Sequence, residues 1–230
     1  MKKLNNYLYI TLIITVISSC AKPILKSEAY KKLYKEEPKT VLIMPPINKT
    51  TNVEAKEYFH STLSVPLSNM GYYVIPPFLS MEILKKESAY NSELFLDAPL
   101  SNFGDIFGAN AVLFTIIHKW NKNVLFAKVT VEIEYILKST KTNEILYTRR
   151  GVIEYSTSSN TGGNSSLMGL AAAAATSAIK TAATDYTMLA RKCNSYTLSD
   201  LPFGKYSPKY KLDGKERAGK KSFKVSIGSR

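Results

Sequence analysis

The sequence is short of the residues that staple small folds or hold metals. In 230 residues there are two cysteines, Cys20 and Cys193, and two histidines, His60 and His118. A disulfide framework needs several paired cysteines, and a structural zinc site needs Cys or His at short spacing, so both are excluded. Neither histidine belongs to a His-x-x-x-His pair. The longest apolar runs, residues 7–17 and 167–179, have 11 and 13 residues. Both fall below the ~20 residues that a transmembrane helix needs. There is no Gly-x-Ser-x-Gly elbow, and Gly162-Gly163 lacks the Lys-Ser/Thr of a phosphate-binding loop. A serine hydrolase of that type and a P-loop nucleotidase are excluded with them.

What is present begins with an export signal. Lys2 and Lys3 make a positive start, residues 7–17 (YLYITLIITVI) an apolar stretch, and Ile17-Ser18-Ser19-Cys20 an ending of small residues before a cysteine. This tetrapeptide resembles the lipobox of bacterial lipoproteins, which implies residues 1–19 as a signal peptide and diacylglycerol on Cys20. Two or more acyl chains, at about 0.8 kcal/mol per buried methylene, make a stable anchor. Ala21 follows the cysteine in place of the aspartate that resembles an inner-membrane retention signal. The expected location is therefore the outer membrane, facing the periplasm. With Cys20 lipidated, Cys193 has no partner within the chain, and the plainer reading is a buried structural thiol.

Charge is distributed unevenly. The formal net charge is +13, but residues 204–230 carry nine basic residues against Asp213 and Glu216, a net of +7. Residues 204–230 therefore read as a basic, poorly ordered tail adding little to the core, and residues 20–39 as a charged, lipidated tether. The domain is expected within 40–203.

In that domain, residues 40–47 (TVLIMPPI) read as a buried strand stopped by Pro45-Pro46. Ala55, Phe59, Leu63, Leu67 and Met70 follow at helical spacing, with Pro66 inside to kink the helix or break it into two and Gly71 to end it. Residues 72–75 (YYVI) make a second strand, so strand, helix and strand favour a parallel crossover. Two short helices are expected around 79–86 and 100–107, and a central strand at 111–117 (AVLFTII). Residues 125–137 alternate apolar and polar, the clearest period-two pattern in the chain, and 144–155 return as the antiparallel partner. After the break at 160–164 (NTGGN), residues 165–192, with five alanines from Ala171 to Ala175, predict one long helix. The expected fold class is α/β: a single three-layer-like domain whose mixed sheet is flanked by helices.

Candidate chemistry is thin. His60 reads as a helix-surface residue and His118 as a strand-end histidine. Glu132 and Glu134 share a strand face at roughly 7 Å, but a solvated face is the simpler reading of them. Fifteen tyrosines could build a carbohydrate-binding surface, yet many fall at core-facing positions. No catalytic, cofactor or metal residue is assigned, and the chain is not expected to be an enzyme.

The segments 41–48 (VLIMPPIN), 64–77 (SVPLSNMGYYVIPP), 107–120 (FGANAVLFTIIHKW), 141–147 (KTNEILY), the alanine-rich stretch and 200–208 (DLPFGKYSP) resemble, in order and spacing, a family of Gram-negative outer-membrane lipoproteins. That family's fold is similar to the N-terminal domain of TolB and the α/β domain of the curli-secretion lipoprotein CsgG. The resemblance covers most of residues 20–208. It implies no catalytic residues and work done by contact with other envelope proteins, a CsgG-like lipoprotein among them. The leading expectation is a non-enzymatic accessory lipoprotein in assembly or stabilisation of an outer-membrane or secretion complex. The alternative is a periplasmic binding module for peptidoglycan or an anionic glycolipid. Nucleic acid is not an expected partner of an exported chain, and the sequence leaves the oligomeric state open.

Overall fold

The computed structural model describes residues 23–123, 128–156 and 185–228. The helices are α1 (Lys26–Ala29), α2 (Lys31–Glu36), α3 (Ala55–Thr62), α4 (Ser64–Asn69), α5 (Pro77–Lys86), α6 (Ser101–Phe107) and α7 (Tyr186–Leu198). The strands are β1 (Thr40–Ile43), β2 (Ile47–Asn48), β3 (Tyr73–Val74), β4 (Ala111–Asn123), β5 (Lys128–Ser139), β6 (Ile145–Ser156) and β7 (Ser222–Gly228). They form one mixed sheet in the order β3-β1-β4-β5-β6-β7, with β2 also paired to β4. The β1–β3 and β1–β4 pairs are parallel, and β4, β5 and β6 run antiparallel.

Sequence chemistry explains the breaks. Pro45-Pro46 interrupts the first strand without ending it, because Ile47 and Asn48 resume pairing with β4 at Ile116 and Ile117. Pro66 has no N–H to give the carbonyl of Thr62, so the expected helix splits at Leu63 into α3 and α4. Gly71 follows with a φ of +84°, a left-handed position that a side chain would strain. Pro77 opens α5, where its missing N–H costs nothing.

The sheet separates two apolar clusters. Val41, Ile43, Leu113, Val131, Ile133 and Tyr135 face α3, α4 and α7, where Phe59, Leu63, Leu67, Leu189 and Ala190 complete the larger one. Leu42, Met44, Val112 and Phe114 face the other way, against Leu84 of α5 and Leu100 and Phe103 beside and on α6. At β3-β1-β4 the fold therefore has three layers. Beyond β4 the second face of the sheet has no described helix over it.

Three expectations change. Residues 20–39 are not a free tether over their described part: Tyr30, between α1 and α2, and Leu33 on α2 are core residues at 3% and 4% exposure. Residues 204–230 are not a loose tail over theirs, because β7 pairs in parallel with β6 from Arg150↔Ser222 to Ser156↔Gly228. Phe223, Val225 and Ile227 pack under the sheet against the larger cluster. Finally, the helix expected over 165–192 does not run through Asp185. That residue has extended backbone and caps α7 by accepting from the amides of Thr187 and Met188 at 2.8 and 3.2 Å. The alanine run and the NTGGN break lie outside the described residues.

Residues 204–207 dock where α4 ends. Gly204 N–H donates to the Met70 carbonyl and Tyr206 N–H to that of Gly71, at 2.8 and 3.0 Å. A Cβ on Gly71 would stand 2.4 Å from the Ser207 nitrogen, whereas one on Gly108, also at positive φ, meets open space. Gly71→Ala is therefore expected to cost about 2–4 kcal/mol of unfolding free energy, and Gly108→Ala about 1. Equal costs in denaturant titration would mean that the 204–207 contact contributes nothing.

Candidate interaction surface

Among the described residues, the face of β5, β6 and β7 turned away from the larger cluster carries paired charges. Lys128, Thr130, Glu132 and Glu134 of β5 and Arg150, Val152 and Glu154 of β6 point there, because strand side chains alternate. Arg150 bonds Glu132 at 2.7 Å, and His118 Nε2 lies 2.7 Å from Glu134. Glu154 sits between Lys128 and Lys224 at 2.7 and 2.9 Å, and those two ammonium groups hold its carboxyl down at about 2. Thr130, Val152 and Ser226 fill in between. Pairs this exposed contribute little to stability, at about 0–1 kcal/mol each. Their effect is to present a flat, nearly neutral surface.

His118 lies on this face by alternation with Val112 and Phe114, and a bulge begins at it. The β4–β5 register runs Ile117↔Ile133 and then Lys119↔Glu132, which leaves His118 as the extra residue. The shift brings Trp120 opposite Val131 on the core side, where it packs on Tyr58, Phe59 and Tyr186. The two glutamates do share a face as the sequence predicts, but each is held by a different partner, Glu132 by Arg150 and Glu134 by His118.

The remaining candidate side chains lie elsewhere. His60 is not on a helix surface: it is buried between α3 and β1, in a backbone hydrogen bond with Ile43, and burial pushes its pKa below the ordinary value. Cys193 is fully buried on α7, and burial pushes its thiol well up. His60, His118 and Cys193 are therefore not gathered into one constellation. Among the described residues no cluster of three His, Cys, Asp or Glu side chains could hold a metal. Among the described residues, a groove of about 750 Å³ between α7 and β7 is lined by Arg191, Lys192, Ser195 and Tyr196, without a carboxylate or imidazole. Tyrosines serve the core: the hydroxyls of Tyr72 and Tyr147 donate to the carbonyls of Pro202 and Thr197, and that of Tyr135 to the Asn194 side chain.

Sequence reasoning missed two buried polar latches. In one, Asp213, 1% exposed, accepts from the Tyr34 hydroxyl at 2.9 Å and the Phe203 amide at 3.0 Å, with Lys26 Nζ 3.7 Å away. In the other, Asp200 accepts from the Tyr30 hydroxyl and the Gly219 amide, while Arg149 donates to the carbonyls of Thr197 and Lys220 and lies over the Phe223 ring. Composition gave no sign of them, since Asp213 reads as one acid within a basic run.

Residues 28–202 match the family described as "Putative lipoprotein GNA1162-like". The chain belongs to this family. It is 23% identical over 187 residues to "Putative lipoprotein NMB1124/NMB1162" of Neisseria meningitidis serogroup B, a match covering 80% of this chain and 86% of that protein. Among solved structures, lipoprotein GNA1162 from Neisseria meningitidis aligns at 24% identity and a TM-score of 0.48, over 62% of this chain and 98% of that one. A PelC dodecamer from Paraburkholderia phytofirmans aligns at 13% identity and a TM-score of 0.43, over 71% and 88%. No described helix of this family member is long and apolar enough to cross a membrane.

The burial of His60 has a pH consequence. The unfolded chain takes up a proton near the ordinary histidine value of about 6.5, and the folded chain only below it, so stability falls as pH drops through that region. His60→Gln, which cannot titrate, should lose less stability between about pH 7.5 and 5.5 than the parent. Parallel thermal melts at the two pH values check this; an identical loss in both proteins contradicts it.

Proposed function

We propose that this GNA1162-like lipoprotein is a non-enzymatic accessory component of the cell envelope. It is held by lipid on Cys20 in the outer membrane, faces the periplasm, and helps assemble or stabilise an outer-membrane or secretion complex. The observation that carries the reading is the dispersal of the reactive side chains. His60 and Cys193 are sealed in the core. The one described histidine–carboxylate pair, His118 with Glu134, stands on an open sheet face, bound to each other instead of around a cleft. Family membership supports the anchoring half. The assembly half rests on the expectation that the family's fold is similar to the N-terminal domain of TolB and to CsgG, with a CsgG-like lipoprotein of the same cell as the first partner to look for.

On this reading the flat, charge-paired face of β5, β6 and β7 is where another protein rests. Such a face, with its charges already paired to one another, suits a broad protein surface.

Crosslinking in intact cells tests both halves. The parent protein should incorporate radiolabelled palmitate and capture envelope proteins, and Cys20→Ala should lose the label and leave the membrane fraction. Thr130→Arg with Val152→Arg, which crowds the open face, should cut capture by more than about tenfold, the loss expected from ~1.4 kcal/mol at an interface, while leaving the fold intact. A Cys20→Ala protein that still labels and sediments would sink the anchor. Unchanged capture by the arginine variant would move the contact off this face, and salt-sensitive retention on purified sacculi would favour a peptidoglycan-binding module instead.

A further inference from the structure

The chain is fixed to the domain almost as soon as the described residues begin. Ala218 N–H donates to the Ile24 carbonyl at 2.8 Å, and Lys26 N–H to the Glu216 carbonyl at 2.9 Å. Leu25 and Arg217 form an antiparallel bridge between them. Only four residues lead from Cys20 to Ile24, and at most ~3.6 Å per residue they span no more than ~14 Å. A lipid on Cys20 would therefore hold this corner of the domain close to the headgroups. A tether of the length first expected would let it stand off by several times that distance.

The segment that receives Ile24 carries an unusual surface. Lys215, Arg217, Lys220 and Lys221 are all exposed within seven residues. The acids of this segment are already engaged, Glu216 with Lys26 Nζ at 2.9 Å and Asp213 buried beside the same ammonium, while Asp200 accepts from the Gly219 amide and exposed Glu28 stands on neighbouring α1. Two large apolar side chains stand out beside them, Ile24 at 60% and Leu212 at 73% exposure. Cations with a few exposed apolar residues suit the boundary between phosphate headgroups and acyl chains.

We propose that Ile24 and residues 212–221 form a membrane-contacting surface that binds the headgroups of anionic phospholipids, so that the anchored domain lies down on its bilayer. The inference rests on lipidation at Cys20, proposed above. Screening sets the scale: charge interactions fade over ~8–10 Å at ordinary salt, and a leash of at most ~14 Å lets these cations come within that range. Each cation near an anionic surface strengthens attachment about fivefold, so four together strengthen it more than about a hundredfold. The leash adds a high local concentration of headgroups, which makes even a weak contact persist.

The test uses the lipidated protein in phosphatidylcholine vesicles with and without phosphatidylglycerol, some lipids carrying brominated chains. Leu212→Trp reports depth, read against the parent, whose one tryptophan is Trp120. Quenching of the new tryptophan is expected in phosphatidylglycerol vesicles at low salt. It should weaken in high salt, in pure phosphatidylcholine, and when Lys215, Arg217, Lys220 and Lys221 are all changed to Gln. Acylated protein whose Leu212→Trp signal is never quenched overturns the inference and leaves the anchor standing. Quenching that ignores lipid charge and the glutamine changes overturns the headgroup contact. A Cys20 without acyl groups by mass spectrometry removes the anchor, and this inference with it.

Discussion

One buried carboxylate ties the two ends of the described chain together. Asp213 receives a tyrosine hydroxyl from α2, a backbone amide from Phe203 and the charge of Lys26 from α1. A carboxylate so nearly removed from water is stable only with such partners, and its partners are in turn placed by it. Asp200 repeats the arrangement a short way off, between Tyr30 and the Gly219 amide. With both acids satisfied, residues 24–26 can pair with 216–218, and β7 is delivered to the edge of the sheet. The ordering of both ends depends on two acids in segments whose composition is basic.

The sheet and the helices over it follow from simpler physics. β1 is buried on both faces because Val41, Leu42 and Ile43 are all apolar, and β5 is buried on one because its polar residues alternate. Asn194 shows how polarity is managed inside: its side chain accepts from Tyr135 and donates to the Phe59 carbonyl and the Thr62 hydroxyl. That network sets α7 against α3 and β5 at one rotation. Removing any member would leave a buried polar group unpaired, so it specifies the packing more than it strengthens it.

Much of this was legible in the sequence where periodicity was strong. The parallel start, the central strand, the β5–β6 hairpin and the split at Pro66 all follow from spacing and proline chemistry. β7 was hidden because Phe223, Val225 and Ile227 alternate with Ser222, Lys224 and Ser226 in a run whose composition is dominated by lysine and glycine. Likewise Tyr30, Leu33 and Tyr34 are helically spaced, but lysines and glutamates surround them and mask the stripe. His118 reads as a strand end because a bulge is invisible to period-two counting. Of the site, the shared face of Glu132 and Glu134 was visible and their separate partners were not, since pairing across strands depends on register. Cys20, the residue on which the anchoring proposal turns, lies outside the described residues.

The account's central claim is that both ends of the described chain belong to the folded unit, which makes the leash short and the basic segment a surface. Native-state hydrogen exchange measures this most directly. The amides of Lys26 and Ala218, which close the 24–26 and 216–218 pairing, should exchange with an opening free energy within about 2 kcal/mol of the buried β5 amides such as Val131. Exchange of both at the rate of an open loop, while β5 stays protected, would contradict the account.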